Sequence, residues 1–356
     1  MYETKHSLYC FFAFCPLSEF FDMDAVARYD VVAIGNAIVD VLASMDDEFL
    51  QKHNMPKGVM TLVDAELAEI IYGHISGVGK ECSGGSAANT AVGVAALGGK
   101  PAFIGKVADD KLGSVFREDI TKSGVHFSTP CLENERPTAR CMVIVSPDAQ
   151  RTMNTYLGAC SKLSRKDIDE ELIRQAKIVY MEGYLWDREE AKDALAYAVE
   201  LAHKYGRKVS LSLSDPYCVN RHRESFFNLI KSGVDIVFCN EDEILALFGV
   251  SDPEEAFERC KTLCELVVVT RGENGAVAIK GEERYSVPAE PIVKVIDTTG
   301  AGDLFAAGFL TGYAQERPVS ECLQMGALSA AEIISHYGAR PQAPLRDLIA
   351  KKVKPN

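Results

Sequence analysis

The segment at residues 297–310 places a single carboxylate at the beginning of an apolar helix. It reads DTTGAGDLFAAGFL, so that Gly300, Ala301 and Gly302 stand directly before Asp303. An acid in this position is typical of a capped helix, where it interacts with free amides and with the helix dipole. The same arrangement also suits a site in which backbone amides bind an anion beside a base, because small residues leave the amides accessible. Both interpretations are open for this segment alone.

A second group of polar residues follows predicted strands nearer the N-terminus. Asp40 comes directly after the first apolar strand, and the segment ECSGGSAANT contributes Gly84, Gly85 and Asn89. Paired glycines let the backbone approach a ligand closely, and an amide side chain among alanines needs a hydrogen-bonding partner. Asp40 and Asn89 together could bind vicinal hydroxyl groups. Taken singly, Asp40 would be a solvated loop acid and Asn89 a side chain bonded to neighbouring backbone.

The segment NEDE at residues 240–243 follows another predicted strand and begins a helix. Asn240 and Glu243 share one helical face, and their oxygen atoms suit Mg²⁺ held through its waters. An N-cap asparagine followed by solvated acids is an interpretation of equal weight. Thr270 and Gly272 end the next strand and weakly fit a turn that binds nucleotide phosphate.

Composition and charge argue against several classes of partner. The 356-residue chain carries a net charge of −13, which disfavours nucleic acid and anionic membranes. Its eleven cysteines include no CxxC pair, a pattern that predicts reduced thiols in a cytoplasmic protein. The Walker-type sequence GxxxxGK[ST] is absent, and GNAIVD stands where a dinucleotide-binding GxGxxG would occur. A Rossmann-type dehydrogenase is therefore disfavoured.

Short apolar strands alternate with longer segments of helical periodicity along most of the chain. The strands are predicted at 31–34, 177–181, 209–213, 235–239 and 266–270, and the helices at 189–205, 224–230 and 253–263. Such alternation predicts an α/β fold with a central, mostly parallel sheet flanked by helices. Residues 137–154 interrupt it with two strands around the polar turn SPDAQ. We expect this hairpin to belong to a small β-sheet that covers the site.

Residues 1–22 are treated separately from the predicted domain at 23–356. The run LYCFFAFCPL at 8–17 is apolar, but it lacks a cleavage site and is too short to span a bilayer. Met23 opens MDAVARYDVV, a natural beginning for a cytoplasmic protein. We interpret 1–22 as an extension that is disordered or not native, and a targeting segment is the alternative.

Joined in chain order, these motifs resemble the PfkB, or ribokinase-like, family of carbohydrate and nucleoside kinases. The sequence contains GNAIVD, then GGSAANT with the glycines of ALGGKPAFIGKVADDKLG, then NEDE, and finally DTTGAGD. The resemblance covers residues 30–340 and includes both signature motifs of the family. It implies a ribokinase-like fold with a small β-sheet lid, and a phosphotransferase that uses ATP and Mg²⁺.

Within that family the chain is similar to the adenosine kinases, in the residues GNxxxD, PTARC, DAQRTMN, EGYL and LSLSDP. This resemblance implies lid segments at roughly 38–44, 54–64 and 130–157. Ile38 and Tyr184 would flank a purine, with the aromatic ring stacking on it. The residues placed around the ribose are Asn36, Asp40, Gly85 and Asn89.

The mechanism implied by the resemblance centres on the loop before the last apolar helix. Asp303 would accept the proton of a substrate hydroxyl as that oxygen attacks the γ-phosphorus of ATP. The amides of residues 300–302 would stabilise charge on the transferred group, and Arg151 would reach the phosphates from the lid. Asp297 and Thr299 match the loop that binds a monovalent cation in relatives, so we expect K⁺ there.

The substrate class has several alternatives. Tyr184 and Ile38 favour a purine nucleoside, most simply adenosine phosphorylated at its 5′-hydroxyl, since a free sugar needs more polar walls. A kinase for ribose, fructose, inosine or guanosine is the alternative, because Tyr184 stands where phenylalanine is familiar and Asp215 has no assigned place. A non-catalytic nucleotide sensor is disfavoured by the intact Asp303. As partners we expect the nucleoside and ATP, with no nucleic acid and no membrane, in a monomer or homodimer.

Overall fold

A computed structural model describes residues 27–148 and 150–353 of the chain. These residues form fourteen β-strands and twelve α-helices, joined by turns and short 3₁₀ segments. The strands are β1 (Tyr29–Ile34), β2 (Ile38–Ser44), β3 (Met60–Leu62), β4 (Lys80–Gly84), β5 (Pro101–Ile104), β6 (His126–Phe127), β7 (Ala139–Val145), β8 (Arg151–Tyr156), β9 (Ala176–Glu182), β10 (Lys208–Ser212), β11 (Ile236–Asn240), β12 (Leu266–Thr270), β13 (Ala276–Lys280) and β14 (Glu283–Val287). The helices are α1 (Asp47–Lys52), α2 (Ala65–Ile75), α3 (Ser86–Ala96), α4 (Lys111–Lys122), α5 (Glu170–Arg174), α6 (Glu189–Lys204), α7 (Pro216–Gly233), α8 (Glu241–Phe248), α9 (Pro253–Cys260), α10 (Ala301–Ala314), α11 (Val319–Ile333) and α12 (Leu345–Lys352).

Nine strands form the main sheet, in the order β14-β13-β12-β11-β10-β9-β1-β5-β6. The seven strands from β12 to β6 in that order pair parallel, and β13 and β14 pair antiparallel at one edge. Helices lie against both faces of this sheet. The predicted α/β fold with a central, mostly parallel sheet is therefore confirmed.

The main sheet is buried on both faces because the side chains of each strand alternate between two apolar cores. In β1, Val31 and Ala33 belong to one cluster, while Val32 and Ile34 belong to the other. All four side chains are fully buried. Full burial of a side chain of the size of valine or isoleucine contributes about 1.5–3 kcal/mol. The sheet is thus a firm base for the polar residues at its strand ends.

A second sheet of five strands has the order β3-β8-β7-β2-β4. Strands β7 and β8 pair antiparallel, which confirms the hairpin predicted at 137–154. Strand β2 joins this sheet by pairing with β7 and β4, and β3 joins it by pairing with β8. The predicted lid segments 38–44 and 54–64 contribute β2 and β3. That the sheet acts as a lid stays a prediction.

Close contacts with α3 and α11 fix the position of helix α10 in the core. A Cβ at Gly93 of α3 would lie 2.5 Å from the Cβ of Ala307, and a Cβ at Gly308 would overlap the backbone of Met325 in α11. Interiors at this density leave no room for an added methyl group. Glycine at these positions therefore fixes how close the three helices lie, and with it the place of Asp303 relative to α3.

Among the described helices, none combines the length and the apolar character needed to cross a membrane. The predicted extension at 1–22 lies outside the described residues, as do the first residues of the predicted domain at 23–356. Both boundaries stay predictions.

Candidate active site

A cavity of about 1450 Å³ lies between the two sheets, at the carboxyl ends of the main-sheet strands. Ligands of open α/β sheets bind at this end. Most of the predicted site residues line the cavity, whereas Gly84, Gly272 and Asp297 lie outside its wall. The main sheet contributes the last residues of four strands, namely Glu182, Ser212, Asn240 and Thr270.

Asp303 lies in the cavity wall, in the first turn of α10, and two side chains of α3 hold its carboxylate. Ser86 Oγ donates to Oδ1 at 2.6 Å, and Asn89 Nδ2 donates to Oδ2 at 3.0 Å. Burial raises the pKa of Asp303, and these two hydrogen bonds, together with the charge of Arg340, oppose the rise. A carboxylate with a raised pKa is closer to what a general base at neutral pH requires.

Glu182 joins the GNAIVD segment to the beginning of α3. Its Oε1 accepts from the backbone nitrogen of Asn36 at 2.7 Å and from Asn36 Nδ2 at 2.6 Å, and its Oε2 accepts from the Ala87 nitrogen at 2.8 Å. Burial raises the pKa of Glu182 to about 7 in spite of these bonds. At the same junction Gly85 has a φ of +101°, and a Cβ there would overlap the carbonyl oxygen of Asn36. The local backbone itself therefore requires glycine at position 85.

Asp40 lies on β2, opposite the end of β4. The register pairs Ile38 with Gly84, and a Cβ at Gly84 would overlap the carboxylate of Asp40. Gly84 therefore makes room for that carboxylate without lining the cavity itself. Burial raises the pKa of Asp40 to about 6, and the charges of Arg340 and Arg151 oppose the rise. Asp40 is thus not a freely solvated loop acid.

Ile38 and Tyr184 both line the cavity, and Tyr184 is 42 % exposed in a 3₁₀ turn after β9. Desolvation by the surrounding cavity wall, followed by the charge of Asp215, raises the pKa of Tyr184, although part of the ring stays exposed. Asp215 also caps α7, where its Oδ1 accepts from the nitrogens of Tyr217 and Cys218 at 2.8 and 3.0 Å. The cap gives Asp215 a structural place, and the exposed ring of Tyr184 leaves a face for a planar ligand.

The loop before α10 passes close to the chain after α11. Gly300 has a φ of +80°, and a Cβ there would lie 2.9 Å from the Cβ of Ala339. A Cβ at Gly302 would have no neighbour within 4 Å, so the backbone is open at that point. The amide of Ala301 donates to the Thr298 carbonyl at 3.2 Å and is partly engaged. The predicted anion-binding role of the three amides stays a prediction, with open space beside Gly302.

Arg151, at the start of β8, contacts this same loop. Its Nη1 lies 2.5 Å from Asp297 Oδ2 and donates to Thr299 Oγ1 at 3.1 Å. Asp297 Oδ1 accepts from the nitrogen and Oγ1 of Thr299 at 3.1 and 2.7 Å, and Oδ2 accepts from the Gly338 nitrogen at 2.9 Å. Both oxygens of Asp297 are therefore engaged, and Arg151 supplies the positive charge beside them. The predicted K⁺ site stays a prediction.

Asn240 and Glu243 form a capping box at the beginning of α8. Asn240 Oδ1 accepts from the Glu243 nitrogen at 2.8 Å, while the two Glu243 oxygens accept from Asn240 Nδ2 and from its backbone nitrogen at 2.8 and 3.1 Å. Asn240 is therefore the N-cap of α8, as one of the two interpretations of the sequence predicted. Glu243 is not a solvated acid, because it is only 5 % exposed. Burial raises the pKa of Glu243 to about 7. Both residues also line the cavity.

Thr270 and Gly272 differ in their relation to the cavity. Thr270 ends β12 in the cavity wall, with its Oγ1 donating to the Cys239 carbonyl at 3.4 Å. Gly272 has a φ of +56° and lies outside that wall. Between them Arg271 pairs with Glu241 at 2.9 Å. Of the predicted phosphate turn, Thr270 is the residue that reaches the cavity.

Three residues of the site were not predicted from the sequence: Ser86, Glu182 and Arg340. Ser86 stands inside GGSAANT, so its place at the start of a helix was an available signal. Glu182 directly follows the strand predicted at 177–181, which is also a signal for a cavity residue. Arg340 lies in an irregular segment between α11 and α12, where no periodic pattern could place it.

The family model for pfkB family carbohydrate kinases matches residues 77–346 of the chain. That region includes GGSAANT, NEDE and DTTGAGD, whose side chains meet in the cavity. The protein belongs to the PfkB family of carbohydrate kinases. It is therefore a phosphotransferase that acts on a hydroxyl group of a sugar or a nucleoside, with ATP as the donor that this kinase family implies.

Two solved structures and one further relative agree on the fold but are named for different substrates. The chain is 48 % identical to adenosine kinase from Sinorhizobium meliloti, with a TM-score of 0.84 over 91 % of this chain and 99 % of that one. It is 48 % identical to a probable sugar kinase from Rhizobium etli CFN 42, with a TM-score of 0.84 over 92 % and 99 %. A 5-dehydro-2-deoxygluconokinase from Geobacillus thermodenitrificans is 29 % identical over 76 % of this chain and 84 % of that protein. The ribokinase-like fold is confirmed.

Proposed function

We propose that the protein transfers the γ-phosphoryl group of ATP to the 5′-hydroxyl of a purine nucleoside, most simply converting adenosine to AMP. The position of Asp303 carries this proposal. Its carboxylate is oriented by Ser86 and Asn89 in the same cavity as the exposed ring of Tyr184. An acid and a stacking surface in one cavity suit a substrate that has both an alcohol and a planar ring.

The ribose is assigned to the side chains between Asp303 and the second sheet. Asn89 donates to Asp303 through Nδ2, and its Oδ1 has no partner among the described residues. Asn89 and Asp40 both line the cavity, and in the proposal their oxygen atoms accept from vicinal sugar hydroxyls. Asn36 lines the same cavity and is held by Glu182 through its Nδ2. Buried acceptors of this kind favour a ligand that brings hydroxyl donors.

In the proposed reaction Asp303 accepts the proton of the 5′-hydroxyl as that oxygen attacks the γ-phosphorus. The open backbone beside Gly302 receives the transferred group at the N-terminus of α10, where the helix dipole favours negative charge. Arg151 contacts the phosphates from the second sheet, and the segments at roughly 38–44, 54–64 and 130–157 form the lid. The guanidinium already lies beside the loop, since it pairs with Asp297.

The residues assigned to Mg²⁺ fit an outer-sphere role only. Every oxygen of Asn240 and Glu243 already accepts a hydrogen bond within the capping box. Across 27–148 and 150–353, no group of three or more His, Cys, Asp or Glu side chains is arranged to hold a metal. The buried Glu243 would attract a hydrated cation carried in by the nucleotide, whose charge would neutralise the phosphates.

A substrate panel tests the proposal. Purified protein with MgATP is incubated with adenosine, inosine, guanosine, ribose, fructose or 5-dehydro-2-deoxygluconate, and ADP release is measured for each acceptor. We expect the highest kcat/KM for adenosine, with AMP as the product. A sugar that exceeds every nucleoside would overturn the nucleoside assignment and leave the family assignment intact.

A sugar kinase is the second candidate, and two of the relatives support it. One structure at 48 % identity is described as a probable sugar kinase, and the Geobacillus relative acts on a sugar acid by its name. The fructose and sugar-acid arms of the panel measure this directly. Tyr184→Ala separates the two classes, because a purine has an aromatic ring that stacks on Tyr184 and a free sugar has none, so KM should rise far more for a nucleoside than for a sugar.

A further inference from the structure

Arg340 lies where the irregular segment after α11 meets the beginning of α3. Its Nη1 donates to the Ala88 carbonyl at 3.3 Å, and its Nη2 donates to the carbonyl of Ser83 and, at 2.7 Å, to Ser83 Oγ. The side chain also lines the cavity that holds Asp40 and Asp303. One guanidinium therefore contacts both the residue that precedes GGSAANT and Ala88 within it.

The acceptors of Arg340 are themselves fixed. The nitrogen and Oγ of Ser83 donate to Asp119 Oδ2 at 2.8 and 2.6 Å, so that Ser83 is anchored on α4. On the other side, the Gly338 nitrogen donates to Asp297, which ties the segment that carries Arg340 to the loop before α10. A planar guanidinium that donates to two fixed carbonyls has little freedom to turn toward a ligand. Its charge is a permanent part of the cavity.

Asp40 and Asp303 line one cavity, and the charge of Asp303 contributes to the raised pKa of Asp40. Like charges in a buried site disfavour double ionisation. The charge of Arg340 acts on both carboxylates, whereas Arg151, which acts on Asp40, is paired with Asp297. The other titratable groups that face the two acids are Cys82, Cys141, Asp119, Tyr180, Glu182 and Tyr184.

We propose that Arg340 is a positioning residue for phosphoryl transfer, which locks segment 83–89 against Asp303 and lets Asp40 and Asp303 share the cavity as carboxylates. The proposal rests on the role proposed above for Asp303 as the base. Arg340 does not touch the reacting atoms. Its hydrogen bonds to Ser83 and Ala88 position the segment that orients Asp303, and its charge favours the ionised form of Asp303. Loss of the charge would leave the base protonated at pH values where the wild-type enzyme is active.

The test is the pH profile of kcat/KM for Arg340→Gln, between pH 5.5 and 9, with MgATP and the best acceptor of the panel. We expect the acid limb to move upward by about one pH unit, so that kcat/KM falls about tenfold at pH values on that limb and recovers toward pH 9. KM for the acceptor should rise as well, because segment 83–89 loses its anchor. Arg346→Gln is the matched control, since it removes the same charge from an exposed site on α12.

Arg340→Lys keeps the proposal falsifiable if the glutamine variant does not fold. Lysine retains the charge without the two-nitrogen fork, so we expect an acid limb at the wild-type position with a raised KM. An acid limb that moves equally in the lysine variant, or that stays in place in a folded glutamine variant, would overturn the proposal. Inactivity of the wild-type protein on nucleosides is a separate outcome, because the profile is measured with whichever acceptor is used best.

Discussion

Asp303 and Glu243 both lie in the first turn of a helix that points at the same cavity, yet the fold holds them in different ways. Glu243 is bonded within its own capping box, to a residue three positions earlier. Asp303 is bonded to Ser86 and Asn89, which lie 217 and 214 positions away in the chain. Burial raises the pKa of both carboxyls.

The carboxylate of Glu243 is held by contacts within its own helix, whereas that of Asp303 is held by tertiary contacts. A capping box is complete once α8 has formed, and its hydrogen bonds are explained by the stability of that helix. The carboxylate of Asp303 gains its partners only when α3 and α10 have packed together. Side chains brought from a distant element to orient a buried acid have no such local explanation, and this favours chemistry at Asp303 over Glu243.

Asp303→Asn is the change with the largest expected effect. Without the base, kcat should fall by about 10²–10⁴-fold, while KM for ATP and acceptor changes little. Steady-state kinetics with the best acceptor measure both constants. Asp242→Asn, an exposed first-turn acid of α8, is the matched control and should retain wild-type turnover. Activity retained in Asp303→Asn would make the two helix starts equivalent and remove the base assignment.

Gly85→Ala tests the junction that brings α3 to its place. A φ of +101° and the overlap with the Asn36 carbonyl should lower the free energy of unfolding by about 1–3 kcal/mol. Urea denaturation measures the change. Gly73→Ala in α2, where an added Cβ has no neighbour within 4 Å, should instead raise it by about 0.5–1 kcal/mol. Equal effects of the two changes would contradict the strain assigned to Gly85.

Glu243→Gln tests the raised pKa of Glu243 through the pH dependence of stability. Because the folded-state pKa of Glu243 is raised to about 7, the native state binds a proton that the unfolded state releases from about pH 4.5 upward. The contribution of Glu243 to the free energy of unfolding of the wild-type protein is therefore greatest at low pH. It declines as the pH rises to 7, by up to about 3 kcal/mol.

The glutamine variant should lack this decline, so its stability relative to wild type should improve from pH 5 to pH 8. Urea denaturation at pH 5, 6, 7 and 8 measures the difference. Glu48→Gln, an exposed first-turn acid of α1, provides the baseline. Parallel profiles of wild type and Glu243→Gln would show that the carboxyl is ionised throughout.

The strands of the main sheet could be predicted closely because buried parallel strands are short apolar runs. The run at 266–270 has the bounds of β12. Three of the other predicted strands differ from the observed ones by one residue at each end, and the run at 31–34 lacks the first two residues of β1. Helix α7 was predicted too short at 224–230, whereas it begins at Pro216. Its first half carries polar residues, is kinked at His222, and is stabilised by the Asp215 cap, so apolar periodicity did not reveal it.

Site residues that belong to a sequence motif could be predicted. Residues that only the tertiary fold brings to the cavity could not. Asn89 and Asp303 stand in recognisable motifs, and both line the cavity. Glu182 and Arg340 act through long-range contacts with Asn36 and Ser83, which no local pattern contains. The double use of Asn240, as a cap and as part of the cavity wall, likewise depends on how deeply α8 is buried.

The pairing of Arg151 with Asp297 joins the tip of the β7–β8 hairpin to the body of the molecule. In the proposed reaction an incoming triphosphate would meet a cation that already has a counter-ion, so that nucleotide binding would exchange one partner of Arg151 for another. The hairpin and the loop that carries Asp297 would then be coupled through the charge of the bound phosphates.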